Sequence, residues 1–105
     1  MEISGKSNTS WHGQCVKDTS KRLLPLGPLD LENNTPMNCM RRCREEGDGY
    51  AYAGVQHSHQ CFCGNDPPPS NTVRDMAGCN MPCNGDGDMK CGGVWRMNVY
   101  ATGIP

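Results

Sequence analysis

The sequence predicts a small α+β, disulfide-rich fold in which one helix is fastened to a strand at two points, and three observations predict it. First, Gln60-Cys61-Phe62-Cys63-Gly64-Asn65 places two cysteines one residue apart. On an extended strand they share a face, about 6.6 Å apart, because side chains alternate and each residue rises about 3.3 Å. Second, Cys39 and Cys43 lie four apart in a segment with helix signals at both ends. On a helix they share a face, about 6 Å apart along the axis. The two spacings match, so Cys39 and Cys43 are expected to bond Cys61 and Cys63, in an order that spacing leaves open. Third, the 105 residues include eight cysteines but are only 35% hydrophobic, with one Phe, 13 Gly and 8 Pro. Such a chain buries a thin core, and four disulfides, worth about 2–4 kcal/mol each in favourable cases, would make up the deficit.

These bulk properties also exclude functions. The length fits one domain, expected over residues 11–101, with a flexible segment at 1–10 and a tail at 102–105. The even cysteine count points to an oxidising compartment, either secreted or on the extracellular side of a membrane-anchored parent protein. Net charge is −1, and Lys21-Arg22 and Arg41-Arg42 are isolated basic pairs, so there is no footprint for nucleic acid. No stretch approaches the ~20 apolar residues of a membrane span. Met1-Glu2-Ile3-Ser4-Gly5-Lys6 is polar and not a signal peptide. The expectation is a mature form or an excised domain. Asn8-Thr9-Ser10 and Asn33-Asn34-Thr35 are glycosylation sequons at Asn8 and Asn33.

The elements follow in order. Trp11 to Lys17 reads as a first strand, and Asp18-Thr19-Ser20 as a turn. Leu23-Leu24-Pro25-Leu26-Gly27-Pro28-Leu29 is apolar but broken by prolines, so it is expected to be an extended loop packing its leucines on the core. The helix spans 36–46: Thr35 caps it, Pro36 suits its first position and Gly47 suits a left-handed stop. Glu45-Glu46 at its end oppose the helix dipole. Tyr50 to Gln56 alternates as a strand. Ala51, Ala53 and Val55 are expected toward the helix, and Tyr50, Tyr52 and Gln56 away from it. With Cys61 and Cys63 facing the helix, Phe62 joins Tyr50 and Tyr52. After the 64–71 loop, Asn84 to Asp88 turns the chain so that Cys83 can meet Cys91, leaving Cys15 for Cys79. Trp95 to Tyr100 alternates as a last strand paired with the first.

The cysteine order and surrounding motifs resemble the WSC domain, a cysteine-rich extracellular module. The residues are Cys15 to Asp18, Arg22-Leu23-Leu24-Pro25, Cys39-x3-Cys43, Tyr52-Ala53-Gly54-Val55-Gln56, Cys61-Phe62-Cys63-Gly64-Asn65, Cys79-Asn80-Met81-Pro82-Cys83 and Cys91-Gly92-Gly93. The match runs from about Trp11 to Tyr100. The resemblance implies one helix cradled by a short antiparallel sheet, similar to the PAN/apple fold. It also implies four disulfides: Cys15–Cys79, Cys39–Cys61, Cys43–Cys63 and Cys83–Cys91. It further implies lectin-like carbohydrate binding, toward polysaccharides such as β-1,3-glucan or xylan, in parent proteins that include receptors and Golgi-type enzymes.

Sugar rings carry an apolar C–H face and a polar rim, so aromatic platforms with nearby amides suit them. Tyr50, Tyr52 and Phe62, with Gln56 and Asn65, are the expected carbohydrate-binding residues. The competing reading has that sheet face covered by a loop or the termini. Trp11 and Trp95 are assigned to packing and Arg96 to solvent. Asn84-x-Asp86-x-Asp88 resembles a calcium loop but lacks its Gly and Glu, so an acidic turn is expected. His57-x-His59 lacks a third metal ligand, and without Cys-x2-Cys the cysteines point to disulfides and not zinc. No cofactor is expected. No serine or cysteine can be given a base and an orienting acid, so no enzyme is expected. The alternative function is a protein-interaction module using the same aromatic face.

Overall fold

The computed structural model describes residues 10–104. In chain order it contains β1 (His12–Lys17), β2 (Leu26–Asp30), α1 (Pro36–Glu45), β3 (Tyr52–Gln56) and β4 (Gln60–Gly64). A short 3-10 turn (Met76–Gly78) follows, then β5 (Pro82–Cys83), β6 (Asp86–Lys90) and β7 (Arg96–Ala101). Five strands form one sheet in the order β1-β7-β3-β4-β2, and β5 and β6 form a separate hairpin. Every neighbouring pair is antiparallel, including the first strand with the last.

The helix forms where its end signals put it. The Asn38 N–H donates to Thr35 Oγ1 at 3.0 Å, Pro36 occupies the first turn, and Gly47 takes φ 53° just beyond the end. The Glu45-Glu46 pair at the negative end of the dipole is offset by Arg42 and Arg44 in the last turn, with Arg42 paired to Glu46. This helix lies on β3 and β4. Cys39–Cys61 and Cys43–Cys63 fasten it there with Cα separations of 5.5 and 5.4 Å. Cys15–Cys79 and Cys83–Cys91 complete the set, at 5.9 and 4.8 Å. All four bridges are those that the family resemblance implies. The helix-side core is built largely from them: Cys39, Cys43, Cys61, Cys63, Cys83 and Cys91 surround Ala53 and Val55.

A second apolar cluster occupies the opposite face of the sheet. Val16, Leu24, Ala51, Tyr52, Phe62, Met97 and Val99 form it, flanked by Trp11, Leu23 and Ala101. The cover comes from the proline-broken segment after β1. Leu24 is fully buried over Gly54 and Gly64. A Cβ on Gly64 would stand 3.0 Å from Leu24 Cδ2 and from Pro25 Cδ, so the missing side chain lets the segment lie flat on the sheet.

Three sequence expectations are corrected here. The Leu23–Leu29 segment is not loop throughout: from Leu26 it pairs with β4 as an edge strand, with an irregularity between Leu26 and Leu29. An edge position tolerates Pro28, because a missing N–H on the outer side breaks no ladder bond. Tyr50 packs against the helix-side cluster, and Ala51 against the opposite one. The pleat that would place them begins only at Tyr52, so alternation does not extend back to them. Thr102, assigned to a tail, is buried; it donates to the Tyr50 carbonyl at 2.6 Å and accepts from Arg44 at 2.9 Å.

The covering segment is held by one buried carboxylate. Asp18 Oδ1 accepts the N–H groups of Thr19 and Leu23, both at 2.9 Å, and Oδ2 accepts from Arg22 Nη1 at 3.0 Å. The Asp18 N–H donates to the Trp95 carbonyl at 3.0 Å, tying this turn to the one before β7.

Full reduction will abolish the cooperative melting transition. Pairwise Cys→Ala removal of Cys15–Cys79, which spans 64 residues, will cost about 4 kcal/mol, against about 2.5 kcal/mol for Cys83–Cys91, which spans 8. Urea denaturation checks this ranking, and the reverse order would contradict it. Asp18→Ala will lower stability by about 2–4 kcal/mol, because two backbone donors and a guanidinium lose a charged acceptor together. An unchanged denaturation midpoint would show that the covering turn needs no anchor.

Candidate functional site

Tyr52 and Phe62 share a face directed away from the helix, as alternation requires, but both are fully buried beneath Leu24 and its neighbours. Neither offers a ring to solvent. Tyr50 lies on the other side of the sheet, half-buried. Asn65 is half-buried, and its Oδ1 accepts the Ala51 N–H at 3.2 Å, a structural bond at the end of β4. The structure therefore gathers Tyr52 and Phe62 and separates Tyr50 and Asn65 from them. Gln56, 3% exposed, opens onto a different surface, described below. Of the two sequons, Asn8 lies outside the described residues. Asn33 is exposed, although the hydroxyl of its Thr35 is engaged in capping the helix.

Among the described residues, the exposed aromatic side chain of Phe, Trp or Tyr type is Trp95. It sits at the tip of a tight turn closed by the Gly93 N–H to Arg96 carbonyl bond at 2.9 Å and the reciprocal bond at 3.2 Å. Two tip residues leave their side chains nowhere to pack: Val94 is 65% exposed and Trp95 42%. The indole does not float. The Arg22 guanidinium carbon lies 4.6 Å from its ring centroid and 5.1 Å from that of Phe62. A buried ring, a cation and an exposed ring are thus in contact, and Asp18 holds the cation from below. Each cation–π contact is worth about 0.5–2 kcal/mol, enough to limit where the indole can point.

Depressions flank this indole. One, of about 210 Å³, is lined by Arg22, Gln56, His57, Gln60, Val94 and Trp95. A second, of about 460 Å³, shares Val94 and Trp95 and continues past Asp18, Thr19 and Arg96 to Lys17. A third, of about 500 Å³, shares Lys17 and Thr19 and continues along Lys21, Asn71 and Thr72. The first and second thus share Val94 and Trp95 in their linings, and the second and third share Lys17 and Thr19, so the three are neighbours on one surface. Arg96 is fixed there by Asp75, at 2.7 Å.

Two further features mark the first depression. Among the described residues, four that are not glycine have positive φ: Arg22 (56°), His57 (55°), Ser58 (70°) and Trp95 (54°). Three of these line that depression. Such backbone costs about 1–3 kcal/mol per residue and clusters where a structure holds side chains for a purpose. In addition, Gln56 Oε1 is buried without a hydrogen-bond partner, which carries a penalty of about 1–3 kcal/mol until a donor arrives.

The acidic turn proposed as a weak calcium mimic is occupied locally: Asp86 Oδ1 accepts the Asp88 N–H at 3.0 Å. His59 pairs with Asp30 at 3.0 Å. The one metal-compatible cluster among the described residues is Cys39, Cys43 and Cys61, whose sulfurs are in disulfides.

Sequence reasoning placed Trp95 in the packing class and gave Arg22, Asp18 and Lys17 no role. The signal was present in Gly92-Gly93-Val94-Trp95-Arg96. Two glycines before an alternating strand indicate a tight turn, and the residues at such a tip are exposed.

Comparison with known proteins places this geometry in a family. The family model described as WSC domain matches residues 12–93. The chain is 41% identical over 92 residues to xylosyltransferase oxt of Drosophila melanogaster, covering 86% of the chain and 10% of that protein. It is 40% identical over 74 residues to a WSC domain-containing protein of Arthroderma benhamiae, covering 65% of the chain and 7% of that protein. With xylosyltransferase sqv-6 of Caenorhabditis elegans it shares 30% identity over 75 residues, covering 70% of the chain and 9% of that protein. The chain thus spans about a tenth of the length of these relatives. The matched segment takes in all eight cysteines of the disulfide frame and the Asp18 turn and ends at Gly93, before Trp95, and the chain belongs to the WSC domain family.

Proposed function

We propose that this domain binds carbohydrate without catalysis, on the extracellular side of its parent protein, and that Trp95 is the platform on which a sugar ring stacks. The observation that carries this reading is an exposed indole held in place by Arg22 and lining two neighbouring depressions. Such a ring meets the C–H face of a pyranose, while Gln56, Arg96, Thr19 and Gln60 stand around it to meet hydroxyls. Gln56 lines the smaller depression, and its Oε1 lies below the surface without a hydrogen-bond partner. Phe62 contributes from beneath, through Arg22.

Membership of the WSC family supports binding of this kind at the family level. Four disulfides suit an oxidising compartment. Among the described residues, no helix is long and apolar enough to cross a membrane. The non-catalytic reading rests on the chemistry of the three depressions. Hydrolysis of a glycosidic bond takes two carboxyl groups about 5–9.5 Å apart. They have one carboxylate in their linings, Asp18, and that group is engaged in three hydrogen bonds. Xylosyl transfer belongs by name to the larger relatives, of which this domain covers a tenth. Its part in such a protein would be to hold a glycan near the catalytic region. Protein docking through a broad aromatic face loses its basis, since Tyr52 and Phe62 are covered.

The test is a polysaccharide and glycan screen of the oxidised protein, with hits titrated by calorimetry in wild type and in Trp95→Ala and Trp95→Gly. Both variants will lose tenfold or more in affinity, about 1.4 kcal/mol or greater. Stability will stay within about 1 kcal/mol, since the lost stacking is offset in the glycine variant by relief of the left-handed backbone. Tyr52→Ala will instead unfold or strongly destabilise the domain, by about 3–5 kcal/mol, as a buried aromatic does. Full affinity in Trp95→Ala would refute the platform.

A further inference from the structure

We infer that this surface is built for a linear acidic glycan, a chain of several sugars bearing carboxylates or sulfates, with one ring on Trp95 and its anionic groups against Lys17 and Lys21. This rests on the carbohydrate reading above and names the class of ligand. Two observations beyond the indole carry it. The first is extent. Three depressions of about 210, 460 and 500 Å³ lie side by side, the first two sharing Trp95 in their linings and the last two sharing Lys17 and Thr19. A single sugar would fill one of them, and a polymer can follow all three.

The second observation is the sorting of charge. The chain as a whole is slightly acidic, with 11 acidic and 10 basic residues. The depressions depart from that balance: Lys17, Lys21, Arg22 and Arg96 line them against Asp18 alone. Arg22 and Arg96 already have carboxylate partners, Asp18 and Asp75. Lys17 and Lys21 are exposed, and among the described residues neither makes an ion pair. They stand along this surface from Trp95, so the neutral contact and the cationic contacts fall on successive parts of a bound chain. The first depression is lined by the neutral amides of Gln56 and Gln60, and its guanidinium, Arg22, is already paired with Asp18. The surface thus has a polarity, with a hydroxyl-reading end at Gln56 and an anion-reading end at Lys21. A neutral glucan or chitin would leave the two ammonium groups unused.

The experiment compares matched polymers that differ in charge, each titrated into the oxidised domain at low salt and at about 1 M salt, where screening length falls to about 3 Å. The probes are galacturonan and its methyl ester, glucuronoxylan and its carboxyl-reduced form, and dextran sulfate and dextran. The first two pairs report carboxylates and the third reports sulfates. In at least one pair the charged member will bind about fivefold tighter at low salt, the scale of two exposed ion pairs, and the advantage will vanish at high salt. Lys17→Gln/Lys21→Gln, at two exposed positions, will remove that advantage and leave the neutral member's affinity unchanged. Trp95→Ala will weaken both members. Equal affinity for charged and neutral members in every pair would overturn the acidic-glycan inference while leaving carbohydrate binding intact. Binding that depends on charge but is indifferent to Trp95→Ala would overturn it as plain ion exchange. A blank on all six polymers would overturn both readings.

Discussion

Everything in this domain depends on two disulfides that join one face of a ten-residue helix to one face of a five-residue strand. A helix this short is marginal alone, and its apolar residues are few. The sulfur bridges supply what packing would supply in a larger protein. They restrict the unfolded chain, and with Cys83–Cys91 they also fill the interior, so that the helix-side core holds only Ala53 and Val55 as fully buried residues besides cysteine. Cross-linking and core formation are here one set of atoms, with Cys43 Sγ only 3.9 Å from Cys61 Sγ of the neighbouring bridge.

Fixing Cys61 and Cys63 on the inner face fixes Phe62 on the outer one, and pairing across β3 and β7 carries Tyr52, Met97 and Val99 with it. That outer row is too apolar to stand in water. The chain covers it by folding Leu23-Leu24-Pro25 across Gly54 and Gly64. The cover must be held at a turn, and Asp18 is the peg. Because the same peg positions Arg22 between Phe62 and Trp95, the second core and the surface around Trp95 are mechanically continuous. Asp18, a buried anchor, and Trp95, an exposed ring, are two ends of one stack.

This continuity explains what was legible in the sequence. Local signals carried far: the Thr35 cap, the Pro36 start, the matched cysteine spacings and the alternation of β3, β4 and β7 all describe interactions within a few residues of chain. The family motifs added the order of the disulfides. The common face of Tyr52 and Phe62 was legible too, but whether that face is wet depends on a segment about 30 residues away, and no periodicity reports that. The sequence contained both halves of the answer, an apolar outer face and a leucine segment expected to pack on the core, without saying that one covers the other. Tyr50 was misplaced for a local reason, since the strand begins two residues later. Leu26–Asp30 reads as loop because prolines exclude a central strand, and they do not exclude an edge. Trp95 was misjudged because tryptophan is usually buried, whereas a two-residue turn between Gly93 and Arg96 leaves no interior for it.

The placement of costs in this molecule is itself an argument about function. Three non-glycine residues with left-handed backbone and one unpaired buried amide oxygen border a single depression. Together they represent several kcal/mol in a fold whose total stability is of order 5–15 kcal/mol. The helix side carries one comparable cost, the unpaired Oδ1 of Asn34, whose amide nitrogen is nonetheless bonded to the Ser58 and Gln60 carbonyls. A domain indifferent to that surface would relax Arg22 or Trp95 to glycine or shorten the turns. Instead the disulfide clamp stabilises the remainder enough to tolerate strain at one edge, and the strain serves to hold a guanidinium, an indole and an amide in fixed relation. Were a flexible glycan to settle there as proposed, rigid polar and aromatic groups would lose little entropy on binding it, and that would be the physical advantage of building such a surface on a cystine frame.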